Sequence, residues 1–414
     1  MSINENQATE CNVFDKMQNP DTVAAFLKRK ESSYNVSSDE YLQLSDYLTS
    51  PDYLKDVNRL AAGDFFFDAP RILRLRKGHS DRRRIVYRFN NNNSMLMKMM
   101  AFVLHDYDNL YSDSIYSFRI GRHIAELFRK VTELDCSRKC WVLKADIKSF
   151  GDHIDPVILV KQLDDIFGES DPALCSFFRS LLLRQEYYEK GVLVKGPTGV
   201  LSGGALTNFF ENVYLLDIDE YIRENSVYYC RFADDFAIFT NTKEEVVDLH
   251  TSLRRMLSER GLSYNEDKTL ITSPGEAFEL LGFRIESGQF NVAEPSLKKI
   301  EWKLHHYADK LVRRQRLEQL SKEKTQQMMI DRINRYFFGK RKNPNELNWV
   351  DWSFEVLTGS ESLSRLDACA QDCIRIVGSG GKHTNAKYRV RYRDMRRMGY
   401  RTLVHAFYHG YEKI

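Results

Sequence analysis

Apolar positions along the chain recur either every second residue or every three to four residues, and these two periods separate predicted strands from predicted helices. Residues 70–90 alternate basic and apolar side chains around a Gly-His-Ser-Asp turn, which predicts a two-stranded ribbon with one cationic face. WVLKA, from Trp141 to Ala145, predicts a strand that ends in acidic residues. YYCRFADDFAIFTN at 228–241 predicts a hairpin, and LSYNEDKTLIT and AFELLGFRIES predict further strands.

Helical periodicity with Ser and Asp caps predicts a helical extension over residues 1 to about 60. PVILVKQLDDIFG predicts a helix with Asp155 as its N-cap, and residues 199–222 predict a Gly-rich loop that leads into one long amphipathic helix. A further helix is predicted for KEEVVDLHTSLRRMLSERG. After Pro295 the pattern is helical and basic to about Phe338, and a basic, tyrosine-rich segment follows. This order of strands and helices predicts an α+β fold.

The composition indicates a globular protein, since 414 residues with 43% hydrophobic content suffice for two or three packed domains. The sequence shows neither an apolar run of about 18 residues nor a secretory leader, so we expect a cytoplasmic protein without a membrane span. An odd number of scattered cysteines, seven, favours a reducing compartment. Cys136/Cys140 and Cys369/Cys373 have helical spacing, but no compact His/Cys complement accompanies either pair in the sequence, and we predict buried free thiols.

The net charge of +3 hides an asymmetry between the two parts of the chain. The segment from Ser296 to the end has a net charge of +12, and the remainder has a net charge of −9. Such a division is typical of a protein in which one part does acidic-site chemistry and another binds a polyanion, although a basic helical face is also an ordinary solvated surface.

Two adjacent carboxylates, Asp234 and Asp235, interrupt the apolar hairpin. A polar turn explains the shape but leaves the charge unexplained, because adjacent carboxylates repel unless a cation lies near them. Asp146 ends the WVLKA strand, and three carboxylates converge if the two strands are neighbours in one sheet. Such hard oxygen ligands suit two Mg²⁺ ions about 3.5–4 Å apart, the arrangement used for in-line phosphoryl or nucleotidyl transfer.

Five segments carry a likeness to a known family: KADIKSF, GVLSGGALTNFFENVYLLDID, RFADDFAIF, LSYNEDKTLI and ELLGFRI. In this order and at these intervals they resemble palm motifs A to E of bacterial reverse transcriptases, the group that includes retron, group II intron and defence-associated enzymes. YSFRIGR at 116–122 resembles the stretch that precedes motif A in that family. The likeness covers roughly residues 70–340.

The resemblance implies a right-hand polymerase with fingers, a palm built on an antiparallel sheet, and a helical thumb. The implied domains are an N-terminal helical extension at 1–60, fingers and palm at 61–290, a thumb at 291–343 and a basic helical RNA-binding module at 344–414. We expect neither an endonuclease nor a ribonuclease H domain, because too few residues remain to build one.

The resemblance also implies catalytic roles by position. Asp146 and Asp234 would be the principal Mg²⁺ ligands, Asp235 the supporting acid, and the carbonyl of Ile147 a further ligand. Lys268 would donate a proton to departing pyrophosphate, although a surface lysine at a strand end would look the same in sequence.

The implied nucleotide-binding positions fall on the basic ribbon, the motif A turn and the motif B loop; they are Lys77, Arg84, Phe150, Gly151, Ser202, Gly203 and Thr207. Arginine suits a triphosphate because its planar fork meets phosphate oxygens bidentately, and Arg76 lies beside these positions. A tight turn before a helix is the alternative for the motif B loop. Asn212, Tyr214, Leu215 and Asp219 follow it at the family spacing.

Two departures from the family pattern bear on the product. Gly151 stands where most relatives have an aromatic residue that excludes a 2′-hydroxyl, so either Phe150 replaces that residue or ribonucleotides are tolerated. Leu201 replaces the usual proline of motif B, and SGGALT also resembles viral RNA-dependent RNA polymerases. The interval from Thr207 to Asn212 is longer than expected for that viral group.

Outside the palm motifs, the turn formed by Leu281, Gly282 and Phe283 would grip the primer end, although an ordinary core hairpin would have the same sequence. Arginines of the thumb and of the tyrosine-rich final segment would bind RNA through charge and stacking, or would form a solvated surface. They are Arg313, Arg314, Arg389, Arg391, Arg393, Arg396 and Arg397.

The implied activity is that of an RNA-directed DNA polymerase that extends a primer 3′-hydroxyl with dNTPs and makes DNA on a structured non-coding RNA template in bacterial anti-phage defence. One alternative is an RNA polymerase or an untemplated nucleotidyltransferase of the same fold. The other is a non-catalytic RNA-binding scaffold.

Overall fold

The computed structural model describes residues 12–31, 36–64, 67–76, 83–196, 199–201, 203–339, 348–381 and 385–412. The chain divides into two compact units. The first comprises Met1–Arg122 and Leu143–Ile271, and the second comprises His123–Val142 and Thr272–Ile414. Among the described residues, every helix is too short or too polar to cross a bilayer.

The strands are β1 Arg71–Arg76, β2 Arg83–Arg88, β3 Trp141–Asp146, β4 Glu186–Glu189, β5 Val192–Lys195, β6 Tyr228–Phe232, β7 Asp235–Thr240, β8 Leu270–Thr272, β9 Phe278–Leu280, β10 Phe283–Glu286 and β11 Gln289–Val292. They form sheets with the orders β2-β1-β4-β5, β6-β7-β3-β8 and β11-β10-β9.

The helices up to motif B are α1 Val13–Gln18, α2 Pro20–Glu31, α3 Ser38–Leu48, α4 Pro51–Ala61, α5 Asn91–Val103, α6 Ile124–Glu133, α7 Cys136–Lys139, α8 Phe150–His153, α9 Pro156–Phe167 and α10 Pro172–Arg184. Those that follow are α11 Thr207–Tyr214, α12 Leu216–Glu224, α13 Lys243–Glu259, α14 Glu294–Leu317, α15 Lys322–Phe338, α16 Trp349–Phe354, α17 Glu361–Ser379, α18 Ala386–Arg389, α19 Tyr392–Arg397 and α20 Leu403–His409. Short 3₁₀ turns occupy Leu104–Leu110 and Glu266–Lys268.

The predicted N-terminal helices are present as α1 to α4. Their caps explain where they begin, because the side chains of Asn12, Ser37 and Ser50 each accept a hydrogen bond from a backbone N–H of the first helical turn. The buried Tyr53 hydroxyl donates to the Met17 carbonyl at 2.7 Å and joins α4 to α1. These helices therefore pack on one another through specific buried contacts.

The predicted basic ribbon is confirmed as the antiparallel pair of β1 and β2, in register from Arg71↔Arg88 to Arg76↔Arg83. The β4-β5 hairpin, which the sequence analysis did not predict, extends this ribbon into a four-stranded sheet.

The sheet β6-β7-β3-β8 places the strand that ends at Asp146 beside the strand that begins at Asp235. In β3 and β7 every residue after the first is buried. Strands buried on both faces read as continuous apolar runs, which is why WVLKA and FAIFT show little alternation. Asp146 and Asp235 are thus positioned by two neighbouring strands of one buried sheet.

Asp155 caps α9 as predicted, since its carboxylate accepts from the amides of Val157 and Ile158. The single helix predicted after the motif B loop is wrong, because α11 and α12 are separated at Leu215.

The side chain of Gln162 donates to the Tyr214 carbonyl at 3.4 Å, and the amide of Ile218 donates to the Asp217 carboxylate at 3.1 Å. Side chains therefore replace the backbone hydrogen bond that would have continued the helix.

The second unit contains the three-stranded sheet and the long helices α14, α15 and α17. The helical stretch predicted after Pro295 is divided into α14 and α15 at Gln319, which has a φ of +50°. Buried residues on these helices include Leu304, Leu311, Leu366 and Cys373. Both the predicted thumb and the predicted C-terminal module lie within this unit.

Candidate active site

Asp146, Asp234 and Asp235 meet at one edge of the central sheet. Asp146 is the last residue of β3, and the neighbouring strand β7 begins at Asp235. The amide of Ile147 donates to the Asp234 carbonyl at 3.0 Å, so the two strand ends are joined directly. The condition for convergence of the three carboxylates, that their strands are neighbours, is met.

The turn between β6 and β7 lies one residue earlier than the sequence suggests. Phe232 pairs with Asp235, which leaves Ala233 and Asp234 as a two-residue turn. Ala233 has a φ of +57°, a left-handed conformation that costs a non-glycine residue about 1 kcal/mol. As a result, Asp234 lies in the turn and Asp235 is the first residue of β7.

Lysines neutralise two of the three acids. Lys268 Nζ donates to Asp146 Oδ2 at 2.8 Å, and Asn265 Nδ2 donates to Asp146 Oδ1 at 2.9 Å. Lys144 forms an ion pair with Asp235. Burial lowers the pKa of Lys144 to about 8, and its side chain is 8% exposed.

Asp234 carries the least compensated charge. Burial raises the pKa of its carboxyl group, and the negative charge of Asp146 raises it further. A bound cation would relieve both effects, because it replaces lost hydration and screens the repulsion between the two carboxylates.

The donor atoms at this edge fit Mg²⁺. Asp146, Asp234 and Asp235 offer carboxylate oxygens, which are hard ligands of the type that magnesium prefers. The Ile147 amide faces Asp234, and the N–H and C=O groups of one strand residue face the same neighbour, so the Ile147 carbonyl is also directed to this side. The assignment of these residues as metal ligands remains a prediction.

A fully buried arginine, Arg231, supports the turn. Its Nε and one terminal nitrogen donate to the two carboxylate oxygens of Asp219 at 2.8 and 2.6 Å. Its other terminal nitrogen donates to Asn212 Oδ1 at 3.1 Å and to the Ala233 carbonyl at 3.2 Å. Arg231 therefore connects α11 and α12, which follow the motif B loop, to the turn that carries Asp234.

The start of the segment YSFRIGR, with the two residues before it, forms backbone hydrogen bonds with Arg231 on β6. The Arg231 amide donates to the Ser114 carbonyl at 2.9 Å, and the Tyr116 amide donates to the Arg231 carbonyl at 3.0 Å. The Arg119 guanidinium donates to backbone carbonyls, among them that of Ser112 at 2.9 Å and that of Asp108 at 3.0 Å. In this structure Arg119 holds its own loop together.

Two glycines allow the motif B loop to approach its neighbours. Gly203 has a φ of +106°, and a Cβ there would lie 2.5 Å from Val86 Cγ1 on β2. A Cβ on Gly199 would lie 2.2 Å from the Asp152 carbonyl oxygen of the motif A turn. Side chains are excluded at both positions because β2 lies too close to Gly203 and α8 lies too close to Gly199. Thr207 begins α11, and Ser202 lies outside the described residues.

Phe150 is buried rather than presented to a substrate. Its side chain lies in the core, with a ring centroid 6.4 Å from that of Tyr214, and Gly151 follows it in α8. Phe150 therefore has a packing role, and the choice between the two alternatives for the sugar position remains a prediction.

The predicted triphosphate-binding residues are only partly visible. Lys77 lies outside the described residues, and so does the side chain of Arg84, whose backbone pairs with Leu75 in the ribbon. Their role remains a prediction.

In the second unit, Leu281 and Gly282 form a two-residue turn with φ values of +50° and +87°. Phe283 is completely buried, and its ring packs on Phe128 and Trp352 at centroid distances of 5.0 and 5.1 Å. A core role of Phe283 is therefore certain from the packing, and primer binding by the turn remains a prediction.

The basic positions predicted to bind RNA are exposed: Arg313, Arg314, Arg389, Arg391, Arg393, Arg396 and Arg397. Two of them have protein partners, since Arg314 binds Glu318 at 2.7 Å and Arg396 binds the Tyr400 carbonyl at 3.0 Å. Tyr388 and Tyr392 are 68% and 45% exposed beside them.

Sequence reasoning missed Lys144, Arg231 and Asn265. Two of them carried a signal, because Lys144 shares a strand face with Asp146 through the two-residue period, and Arg231 is a charge within an apolar strand. Asn265 carried none, since its contact with Asp146 spans 119 residues.

A family model described as reverse transcriptase (RNA-dependent DNA polymerase) matches residues 76–285. Together with the sheets and helices described above, this match confirms the predicted α+β, right-hand polymerase fold.

The chain is similar to protein YkfC of Escherichia coli strain K12, at 26% identity over 46% of this chain and 59% of that protein. It is also similar to the retron Ec86 reverse transcriptase of Escherichia coli, at 22% identity over 56% of this chain and 67% of that protein. The matched region thus spans about three fifths of the length of YkfC.

Among solved structures, the chain is similar to a telomerase from Candida albicans in complex with a fragment of telomeric RNA, with 12% identity, 82% of this chain and 68% of that chain covered, and a TM-score of 0.45. It is also similar to an RNA polymerase complex from inside a dsRNA virus, with 12% identity, 67% and 27% coverage, and a TM-score of 0.46.

Replacing Arg231 with alanine should lower the free energy of unfolding by about 3–5 kcal/mol, because the change leaves the buried Asp219 carboxylate without its partner. Chemical denaturation of the purified protein measures this loss.

Arg254→Ala is the matched control, since Arg254 and Glu266 form an ion pair with 52% and 64% exposed side chains, and it should cost about 0–1 kcal/mol. Equal losses in the two variants would contradict the role given to Arg231.

Proposed function

The chain belongs to the reverse transcriptase family, whose members are RNA-directed DNA polymerases, and we propose that it extends a primer 3′-hydroxyl with dNTPs on an RNA template. The observation that carries this proposal is the junction of Asp146 and Asp234 at one sheet edge, through the 3.0 Å hydrogen bond from Ile147. The likeness to bacterial reverse transcriptases, including a retron enzyme, supports it.

Asp146 and Asp234 would hold Mg²⁺, with Asp235 as the supporting acid and the Ile147 carbonyl as a further ligand. When bound, two such ions lower the pKa of the attacking hydroxyl and neutralise charge on the leaving pyrophosphate. The ion pair between Lys144 and Asp235 supports this division of roles, because buried Lys144 occupies Asp235, whereas Lys268, the lysine that pairs with Asp146, is exposed and can move away.

Lys268 is suited to act as the proton donor. Its side chain is 61% exposed, and its ammonium group reaches Asp146 across 2.8 Å. In the absence of a metal this contact compensates the carboxylate, and the flexible stem allows the ammonium group to turn instead to departing pyrophosphate.

Ribonucleotide use is a second candidate activity, and a specific observation favours it. Gly151 offers no side chain to exclude a 2′-hydroxyl, and Phe150 is buried against Tyr214. We therefore propose weak discrimination between dNTPs and NTPs, so that RNA synthesis joins DNA synthesis as a product.

The template is proposed to be a structured non-coding RNA, bound in part by the exposed arginines and tyrosines of the last segment, in a bacterial cytoplasm. A role in anti-phage defence rests on analogy with retron and defence-associated relatives. A non-catalytic RNA-binding scaffold is the competing interpretation, and loss of catalytic carboxylates distinguishes it.

Asp146→Asn and Asp234→Asn should each reduce primer extension about 1,000-fold, because each removes ligand charge worth several kcal/mol in the transition state. Primer extension on an RNA template with Mg²⁺, and the same reaction after chelation, measures the effect.

Asp248→Asn, an exposed acid on α13, is the control and should retain full activity. Unchanged extension by the Asp146 and Asp234 variants would rule out the proposed site and favour the scaffold.

Gly151→Phe should raise the preference for dNTPs over NTPs by roughly tenfold or more, because the added ring takes the space of the 2′-hydroxyl. The ratio of kcat/KM for a dNTP and for the matching NTP measures this preference, and Gly151→Ala serves as the small-side-chain control. A wild-type enzyme that already rejects NTPs as strongly as Gly151→Phe would show that another residue selects the sugar.

Alanine at Arg391, Arg393 and Arg397 together should weaken RNA binding and reduce the slope of log affinity against log salt by about 2, since each lost phosphate contact removes about 0.7. Fluorescence anisotropy at several salt concentrations measures both quantities.

The control replaces three basic residues that have acidic neighbours, Arg129, Lys130 and Lys139, and should leave the slope unchanged. An equal change in both triple variants would mean that only net charge matters.

A further inference from the structure

Helices α14 and α17 lie side by side and run in the same direction. Near their first residues, Arg365 on α17 forms bidentate hydrogen bonds with Glu294 and Glu301 on α14, at distances from 2.5 to 3.1 Å. Near their ends, Gln315 on α14 donates to the Val377 carbonyl at 3.4 Å. The two helices are therefore held at both ends.

Between these contacts, one histidine of α14 faces two cysteines of α17. His305 Nε2 lies 3.6 Å from Cys369 Sγ, and His305 Nδ1 lies 3.5 Å from Cys373 Sγ. One donor atom from each residue can be chosen so that all three lie within 4.8 Å of one another. Both cysteines are free thiols, as predicted, although Cys369 is only half-buried. Their histidine neighbour lies 64 residues before Cys369, too far along the chain to form a compact sequence motif.

We propose that His305, Cys369 and Cys373 bind a zinc ion that links α14 to α17. Thiolates and imidazole are the ligands that Zn²⁺ prefers, whereas the carboxylates of the polymerase site suit Mg²⁺. This site is independent of the proposed catalytic function, since none of its ligands is an active-site residue.

Each of the two sulfur-to-nitrogen contacts has the length found in a tetrahedral zinc site, and the two contacts involve different nitrogens of the His305 ring. Zn–S bonds of about 2.3 Å and a Zn–N bond of about 2.0 Å place a thiolate and a ring nitrogen about 3.5 Å apart. Only one ring nitrogen would bind the ion, so zinc binding would require the His305 ring to rotate about its Cβ–Cγ bond and bring one nitrogen close to both sulfur atoms. The contacts of 3.5 and 3.6 Å show that both thiols are already within reach.

A disulfide is a poorer explanation for the paired cysteines. Residues four apart on a helix have Cβ atoms about 5–6 Å apart, whereas a disulfide requires about 3.5–4.5 Å. Because both cysteines lie within the continuous helix α17, bond formation would need local unwinding. A metal ion bridges the longer distance without that change.

Binding of the ion would deprotonate both cysteines, because the thiolate is the form of cysteine that coordinates a metal. The fourth position is left for water or for Asp309, which lies one turn after His305 on α14.

Metal analysis of the full-length protein, purified without chelators and dialysed, tests the proposal. We expect about one zinc per chain, and we expect Co²⁺ added to the metal-free protein to produce a thiolate-to-cobalt charge-transfer band in the near ultraviolet. Zinc should raise the Tm by about 5 °C at a free concentration of about 100 times Kd, because it binds the folded state alone.

Cys369→Ser and His305→Gln should each lose the zinc and the cobalt band, and Cys369 is only half-buried, so its variant should fold. His306→Gln is the matched control, because the neighbouring histidine stacks on Trp302 instead, at a centroid distance of 4.6 Å. Less than a tenth of a zinc per chain, no cobalt band in the wild type, or equal zinc in Cys369→Ser and the wild type would each overturn the proposal.

Discussion

The buried ion pair between Arg231 and Asp219 is the interaction on which the rest of the site depends. Arg231 is completely enclosed, and its hydrogen bonds reach Asp219, Asn212 and the carbonyl of Ala233. A planar guanidinium can satisfy all of these acceptors at once, whereas a lysine has one nitrogen and cannot span them. The helices that follow motif B and the turn of motif C are therefore positioned by one side chain, and the left-handed Ala233 is held where it would otherwise relax.

The charge arrangement around the three carboxylates explains how acidic side chains can share one edge of the sheet. Lys268 pairs with Asp146, and Lys144 pairs with Asp235. Asn265 donates a second hydrogen bond to the Asp146 carboxylate. These groups lower the repulsion that would otherwise separate β3 from β7. Lys144 is buried and stays with its partner, whereas Lys268 is exposed and can leave, so the two lysines differ in mobility.

Much of this fold could be predicted from the sequence, because local signals agreed with the final structure. The strands β1, β2, β3, β6 and β7 followed from periodicity, and the Asp155 cap followed from its side-chain chemistry. That Asp146 lies near Asp234 and Asp235 could be predicted only on the condition that β3 and β7 are neighbours in one sheet. The interruption at Leu215 could not be predicted, since it depends on Gln162, which is distant in sequence. For the same reason, the pairing of His305 with Cys369 and Cys373 required the packing of two helices.

The close approach of Gly199 to Asp152 limits how the proposed sugar-binding position at Gly151 can be redesigned. A Cβ on Gly199 would lie only 2.2 Å from the Asp152 carbonyl oxygen and 2.8 Å from the Gly151 carbonyl oxygen. The motif B loop is therefore so close to α8 that the backbone of α8 cannot move toward it. A change in nucleotide selectivity at this position therefore has to come from the size of the side chains, because the main chain that carries them cannot shift.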